Sequence, residues 1–252
     1  MKIGAQLYTV RAFTQTEKDF AETIKKVADI GYQYVQISAV GPSVTAKIAA
    51  DICAAHHIGV VVTHTNPARI KDETDEVIKE HIILGADYIG IGSMPPEYRN
   101  SADGIKRFIA DYQPAAARLK EAGLKLMYHN HDFEYEKWDG KNLMEWLAGA
   151  FAPDKLGFIL DTYWVQAAGA DPAYWLTKLP GRVDVIHFKD MRMVDGERRM
   201  CEVMEGNLNW QAIFAACEKS RVKGAMVEQD DCYGADPFEC LRVSYHNIRG
   251  FA

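Results

Sequence analysis

Residues 157–190 read GFILDTYWVQAAGADPAYWLTKLPGRVDVIHFKD, and this stretch decides the fold. Two short apolar runs, at residues 157–161 and 183–189, enclose an amphipathic segment at 172–179. Asp171 precedes Pro172, which suits a helix that begins with a capping side chain and a proline in its first turn. Strand, helix and strand in this order predict two parallel strands joined by a crossover helix.

The same alternation recurs along the whole chain, and eight such units can be counted. The predicted strands lie at residues 3–8, 34–38, 60–64, 88–92, 125–130, 157–161, 183–189 and 225–229. The predicted helices lie at residues 17–30, 44–57, 72–84, 102–122, 143–150, 172–179, 210–220 and 237–249. Eight β/α units without a linker or a low-complexity tract predict an α/β fold, a (β/α)8 TIM barrel that forms a single domain over residues 1–252.

An open, doubly wound parallel sheet is the alternative architecture. Its usual sign is a glycine-rich phosphate loop after a strand. The segment GIGSMPP at residues 90–96 lacks the G-x-G-x-x-G order, and proline stands where the following helix would begin. The closed barrel is therefore favoured.

Length, composition and charge narrow the class of protein. A chain of 252 residues with 48% hydrophobic residues is long enough for one barrel. The formal net charge of −6, with Lys and Arg scattered along the chain, argues against nucleic acid and anionic membranes as partners. The polar opening MKIGAQLYTV and the absence of a membrane-length apolar run lead us to expect a cytoplasmic protein.

The five cysteines indicate neither a disulfide framework nor a zinc ribbon. Their number is odd, they are widely spaced, and no C-x-x-C pair occurs. We expect reduced and mostly buried thiols. They are Cys53, Cys201, Cys217, Cys232 and Cys240.

Polar side chains stand at the end of every predicted strand. A barrel of parallel strands carries its active site at the carboxyl ends, so these residues are expected to share one mouth. Side chains two apart on a strand face the same way, which pairs His129 with His131 and His187 with Lys189. The strand-end residues are Gln6, Tyr8, Gln36, Ser38, His64, Ser93, His129, Asn130, His131, Asp161, His187, Lys189, Asp190, Glu228 and Asp230.

Asp161, His187 and Glu228 are the strongest candidates for metal ligands. They follow the sixth, seventh and eighth strands, which are neighbours around a barrel. Two carboxylates with one imidazole suit Mn²⁺, Mg²⁺ or Co²⁺ better than a structural zinc ion, which favours sulfur ligands and a closed tetrahedron. A buried hydrogen-bonded network of His and Asp is the alternative for the same residues.

Five motifs together resemble the sugar phosphate isomerase/epimerase family of the xylose isomerase-like TIM barrel superfamily. They are GAQLYTVR at 4–11, YHNHDFEY at 128–135, LDTYWVQAAG at 160–169, HFKDM at 187–191 and VEQD at 227–230. The resemblance implies one divalent metal ion, with Mn²⁺ preferred and Mg²⁺, Co²⁺ or Zn²⁺ as alternatives. It implies a small-molecule sugar substrate and leaves association with further copies of the chain open.

The resemblance implies a fourth metal ligand from the fifth strand, and here the chain departs from its relatives. Many relatives carry Glu-Asn-His where this chain has His129, Asn130 and His131. Glu134 could complete the site and leave His129 as a base, or His129 itself could bind the metal. We favour Glu134, because a third carboxylate keeps the site anionic and His129 can then transfer protons near neutral pH.

The chemistry that the resemblance implies is proton abstraction beside a carbonyl, through an enediolate stabilised by the metal. His129 or a ligand carboxylate would take the proton, and Glu228 or Lys189 would return one. The expected activity is isomerisation or epimerisation of a sugar or keto-sugar, and β-elimination by a lyase or dehydratase is the alternative. The expected substrate-binding residues are Gln6, Gln36, His64, His131 and Trp164.

Two further classes are less well supported. A DNA repair endonuclease of the same superfamily would need more metal ligands and a basic groove that the acidic chain lacks. A sugar-binding barrel without catalysis would not need three metal-binding side chains.

Overall fold

Eight parallel strands close into one barrel in the computed structural model, which describes residues 1–251. Ala252, the last residue of the predicted domain, lies outside the described range. We number the barrel strands β1 to β8. They are Lys2–Gln6, Tyr34–Ile37, Gly59–Thr65, Tyr88–Ile91, Lys125–His129, Leu156–Asp161, Val185–Phe188 and Gly224–Val227.

Closure depends on β1, which pairs in parallel with β2 on one side and with β8 on the other. Gly4 lies opposite both Tyr34 and Met226 in these two ladders. A Cβ at this position would meet the Tyr34 carbonyl oxygen at 2.7 Å, so glycine lets the strands approach. The predicted barrel is confirmed, and the alternative of an open sheet is wrong.

Ten helices surround the described part of the barrel, and we number them α1 to α10. They are Glu17–Ile30, Ala46–Ala55, Pro67–Asp72, Thr74–Leu84, Ala102–Glu121, Leu143–Ala150, Thr162–Ala167, Pro172–Lys178, Trp210–Ser220 and Pro237–Phe251. Asp171 caps α8 as predicted, because its side chain accepts hydrogen bonds from the amides of Ala173 and Tyr174.

Two apolar clusters hold the fold together. The larger one joins the strands to the helices around them. The smaller one consists of seven side chains, all of them on barrel strands, and fills the barrel interior. Its members are Val61, Val62, Tyr88, Met127, Ile159, Val185 and Met226. The polar side chains of the candidate site stand toward the carboxyl ends of the strands, above this packed floor.

Two antiparallel hairpins interrupt the β/α order and were not predicted. One pairs Lys137–Trp138 with Lys141–Asn142, and the other pairs Asp190–Val194 with Glu197–Cys201. The second hairpin begins at Asp190, whose buried carboxylate accepts hydrogen bonds from backbone amides of residues 191, 204, 206 and 208 and from the Trp210 indole. Asp190 therefore organises a loop and does not line the barrel mouth.

All five cysteines are free thiols, and four of them are buried. Burial raises the pKa of Cys53, Cys201 and Cys217 to about 12, which keeps these thiols protonated and unreactive. No helix of the described chain has the length and apolar character needed to cross a bilayer.

Candidate metal centre and active-site cavity

Four buried side chains converge at the carboxyl ends of β5 to β8. They are His129, Asp161, His187 and Glu228, and one potential ligand atom from each lies within 4.8 Å of the others. None of the four is more than 4% exposed. The structure thus brings together the three predicted ligands and adds His129 as the fourth group.

Hydrogen bonds orient both imidazoles toward the centre of this cluster. His129 Nδ1 lies 2.9 Å from the Gly92 carbonyl oxygen, which can only accept, so Nδ1 carries the proton. The Nε2 lone pair of His129 then faces Asp161 Oδ2 at 3.3 Å. His187 Nε2 donates to Gln36 Oε1 at 2.8 Å, which leaves Nδ1 inside the cluster. Metal-binding histidines commonly hold their second nitrogen in this way.

His187 Nδ1 shows that the cluster suits a cation. The atom is buried and has no hydrogen-bond partner, although Glu228 Oε2 lies 2.9 Å away and Asp161 Oδ2 lies 3.6 Å away. Burial alone would lower the pKa of His187, but Glu228 and Asp161 outweigh it and raise the pKa to about 9. The two carboxylates therefore favour positive charge at this nitrogen. A divalent ion fits the same donor set of two imidazoles and two carboxylates.

The two carboxylate oxygens of Asp161 make different contacts. Oδ1 accepts the Trp164 amide at 3.0 Å and caps α7, which fixes the side chain. Oδ2 faces His129, His187 and Lys189. Burial opposes ionisation, but Lys189 and the two histidines outweigh it and hold the pKa of Asp161 below its usual range. Asp161 is therefore an anion at neutral pH.

Lys189 places a buried ammonium group among three carboxylates. Its Nζ lies 2.6 Å from Asp230, 3.2 Å from Glu228 and 3.5 Å from Asp161. Burial would lower the pKa of Lys189, but the three anions outweigh it and raise the pKa well above its usual value. Lys189 is therefore an ammonium ion at neutral pH, and it balances part of the negative charge of the cluster.

Glu134 does not lie in the cluster, in contrast to the prediction that favoured it as the fourth ligand. Its Oε1 accepts the Tyr128 hydroxyl at 2.8 Å, and its Oε2 accepts the His131 amide at 2.7 Å. The short 3-10 helix Phe133–Tyr135 turns the side chain back beneath the loop that follows β5. Because both oxygens are engaged there, the geometry favours His129 as the fourth group.

The buried Glu134 carboxyl group makes the stability of the protein depend on pH. Burial raises its pKa to about 7, although the hydrogen bonds from Tyr128 and His131 oppose the shift. In the unfolded chain the pKa is about 4.3. The folded chain therefore binds more protons between these values, so this group lowers stability as pH rises from about 4 to 7.

Glu134→Gln should remove this dependence. Relative to wild type, the variant should gain free energy of unfolding as pH rises from 4 to 7, by an amount on the order of 3 kcal/mol. Urea unfolding of both proteins at pH 4.5 and pH 7.5, with a chelator present, measures this difference in the free energy of unfolding. Glu136→Gln, a neighbouring exposed change, serves as the control. If the free energy of unfolding of the variant exceeded that of wild type by the same amount at both pH values, Glu134 would titrate alike in the folded and unfolded chain.

A cavity of about 270 Å³ opens over the cluster. His64, His131 and Trp164 line it, as expected of substrate-binding residues. Each of the three also has a buried nitrogen without a hydrogen-bond partner, namely His64 Nε2, His131 Nδ1 and Trp164 Nε1. These atoms are available to a ligand that carries hydroxyl groups.

Gln6 and Gln36 do not line this cavity, although both were expected to bind substrate. Both side chains are fully buried. Gln6 Oε1 accepts the Tyr8 amide, and Gln36 orients His187 as described above. These glutamines therefore hold residues of the site in place from outside the cavity. The sequence pattern of a glutamine at a strand end is the same whether its side chain lines the cavity or lies outside it.

The sequence did not reveal two residues that position the site, Thr162 and Arg11. Thr162 accepts the Lys189 amide and donates to the Lys189 carbonyl oxygen, which fixes the end of β7. Arg11 donates to the carbonyl oxygens of Tyr8 and Asp230 and so ties β1 to β8 at the mouth. Both residues stand in motifs quoted above, but the contacts to Lys189 and Asp230 join positions 27 and 219 residues apart, which the sequence does not reveal.

Residues 24–230 match the protein family described as Xylose isomerase-like TIM barrel. The match covers most of the chain. The chain belongs to this family. Its membership confirms the resemblance inferred from the strand-end motifs, and in this xylose isomerase-like barrel the four convergent side chains all come from the ends of strands β5 to β8 or directly after them.

Solved structures share the fold. A sugar phosphate isomerase/epimerase from Parabacteroides distasonis ATCC 8503 superposes with a TM-score of 0.82 at 22% identity, over 98% of this chain and 93% of that chain. L-ribulose 3-epimerase superposes with a TM-score of 0.77 at 16% identity, over 99% of this chain and 94% of that chain. At these identities the likeness concerns the fold.

A curated relative adds a different reaction type. Inosose dehydratase from Lacticaseibacillus casei is 24% identical over 161 residues, which cover 57% of this chain and 51% of the relative. The chain thus spans about half the length of the curated relative that it matches.

Proposed function

We propose that this protein is a metal-dependent isomerase or epimerase that acts on a sugar or keto-sugar by proton abstraction next to a carbonyl group. The observation that carries the proposal is the buried His187 Nδ1, which faces two carboxylates and has no hydrogen-bond partner. The related L-ribulose 3-epimerase and the sugar phosphate isomerase/epimerase fold support the reaction class.

His129, Asp161, His187 and Glu228 would hold one divalent cation. We propose Mn²⁺ for this mixed set of imidazole and carboxylate groups, with Co²⁺, Zn²⁺ or Mg²⁺ as alternatives. The bound ion would supply electrostatic stabilisation of the negative charge that develops on the substrate oxygens. In this proposal His129 is a ligand, since its Nδ1 proton is committed to Gly92.

Proton transfer then falls to Glu228 and Lys189. Glu228 Oε2 faces Lys189 and His187, and Glu228 also lines the cavity, where its carboxylate can take a proton from a substrate carbon. Lys189 also lines the cavity and keeps its ammonium proton at neutral pH. It can return a proton or hydrogen-bond an oxygen that becomes negative. His64, His131 and Trp164 would bind substrate hydroxyl groups.

A dehydratase or lyase is the second candidate function. Lys189 favours it, because its buried ammonium group can donate a proton to a departing hydroxyl or glycosidic oxygen as that oxygen gains negative charge. The similarity to inosose dehydratase points the same way. Both candidates begin with the same proton abstraction, so they differ in the fate of the enediolate.

Incubation in D₂O with a panel of free ketohexoses and Mn²⁺ tests the proposal. We expect deuterium to enter the substrate at the carbon beside the carbonyl, as followed by NMR. An isomerase or epimerase yields a sugar of unchanged formula, whereas a dehydratase yields a product that has lost one water, which mass spectrometry distinguishes. Glu228→Gln should abolish the incorporation.

Turnover of any of these sugars without deuterium incorporation would contradict proton abstraction. Glu239→Gln, an exposed change on α10, is the matched control and should incorporate deuterium at the wild-type rate.

A further inference from the structure

A second cavity of about 430 Å³ lies beside the first at the carboxyl ends of β3 and β4. Its walls come from the segment 66–71, which follows β3, from the segment 93–99, which follows β4, and from Tyr112 of α5. Ser93 lines both cavities. The two cavities therefore meet at Ser93.

Rigid groups form the walls of this second cavity. Pro67 opens α3, and Pro95 and Pro96 stand in the loop after β4, where their rings restrict the backbone. Arg99 is held by hydrogen bonds to the Ser93 hydroxyl at 2.8 Å and to the Met94 carbonyl oxygen at 2.7 Å. Because these walls are fixed before any ligand binds, little ordering accompanies binding.

Polar donors stand among the apolar wall groups. Asn66 Oδ1 accepts the Ala68 amide as the cap of α3, which leaves the Nδ2 donors of Asn66 available. Lys71 also lines the cavity, and its Nζ lies 3.9 Å or more from the carboxylates of Asp72 and Asp111. Proline rings with polar groups beside them suit a sugar ring, which has apolar faces and polar edges.

The volumes of the two cavities also favour a ligand larger than a single sugar ring. The cavity over the cluster, at about 270 Å³, falls just below the range of roughly 300 to 1,000 Å³ that is usual for ligand pockets. The neighbouring cavity, at about 430 Å³, lies within that range.

We propose that the second cavity is a binding subsite for a further sugar ring, so that the substrate is a glycoside or disaccharide whose reacting ring lies over the metal-binding cluster. This inference rests on the proposed function for the position of the reacting ring. It adds the substrate class, which neither the fold nor the family specifies.

Ala68→Trp tests the subsite, because the exposed Ala68 side chain lines the second cavity and not the first. Maltulose, a disaccharide with a free keto end, is compared with D-fructose. We expect wild type to favour maltulose in kcat/KM, and Ala68→Trp to lower the ratio of maltulose to D-fructose at least tenfold. Ala54→Trp, an exposed change on α2, should keep the wild-type ratio.

Binding of maltose, followed by saturation-transfer NMR, gives a readout that does not need turnover. Maltose binding that Ala68→Trp removes would support the subsite even where neither keto-sugar reacts, a result that counts against the proposed reaction alone. An unchanged kcat/KM ratio in Ala68→Trp, or maltose binding that is absent from wild type or kept in Ala68→Trp, would overturn the subsite.

Discussion

Asp161→Asn should weaken divalent metal binding by about 100-fold or more, since loss of an outer supporting group alone typically costs 10- to 100-fold. The substitution is mild in every other respect. An asparagine Oδ1 can still accept the Trp164 amide and cap α7, so the local structure is retained. What is lost is one of two negative charges that face the imidazoles. Bound Mn²⁺ per chain after dialysis, and titration of chelated protein, measure the effect.

Asp171→Asn is the matched control for this prediction. Asp171 also caps a helix with its side chain, and it is exposed and belongs to no metal-binding cluster in the described structure. It should bind Mn²⁺ as wild type does. If Asp161→Asn also retained wild-type affinity, the four convergent side chains would be a hydrogen-bonded network and the metal-dependent proposal would fail.

The barrel could be predicted from the sequence because each β/α unit carries its own local signals. Apolar runs and polar strand ends recur eight times, capping residues such as Asp171 mark several helices, and parallel strands place the polar ends on one face. Asp161, His187 and Glu228 could be grouped for the same reason, since their strands are consecutive around the barrel.

The fourth metal-binding side chain could not be chosen from the sequence alone. His129 and Glu134 lie five residues apart, and their roles depend on a short 3-10 helix that turns Glu134 toward Tyr128. The orientation of His129 depends on the Gly92 carbonyl oxygen, which is a backbone atom of another strand end. Gln36 was predicted to bind substrate because a polar residue at a strand end can either line the cavity or orient a metal-binding side chain. The sequence does not distinguish these two positions, and Gln36 orients His187.

Lys189→Met should destabilise the metal-free protein by about 3 to 5 kcal/mol, the usual loss when one partner of a buried ion pair is removed. Methionine keeps an unbranched side chain but leaves Asp161 and Glu228 without the ammonium group that lies within 3.5 Å of both. Mn²⁺ would restore positive charge at the same carboxylates. The free energy of unfolding should therefore rise more on addition of Mn²⁺ in the variant than in wild type.

Urea unfolding with a chelator and with excess Mn²⁺ separates charge from packing in this prediction. Lys178→Met removes a partly exposed ion pair with Glu145 and should cost at most about 1 kcal/mol, with no dependence on Mn²⁺. If Lys189→Met lost the same free energy with and without Mn²⁺, Lys189 would matter for packing alone. A larger gain from Mn²⁺ in Lys189→Met would mean that the ammonium and the cation compensate the same buried negative charge, which is the electrostatic basis of the proposed site.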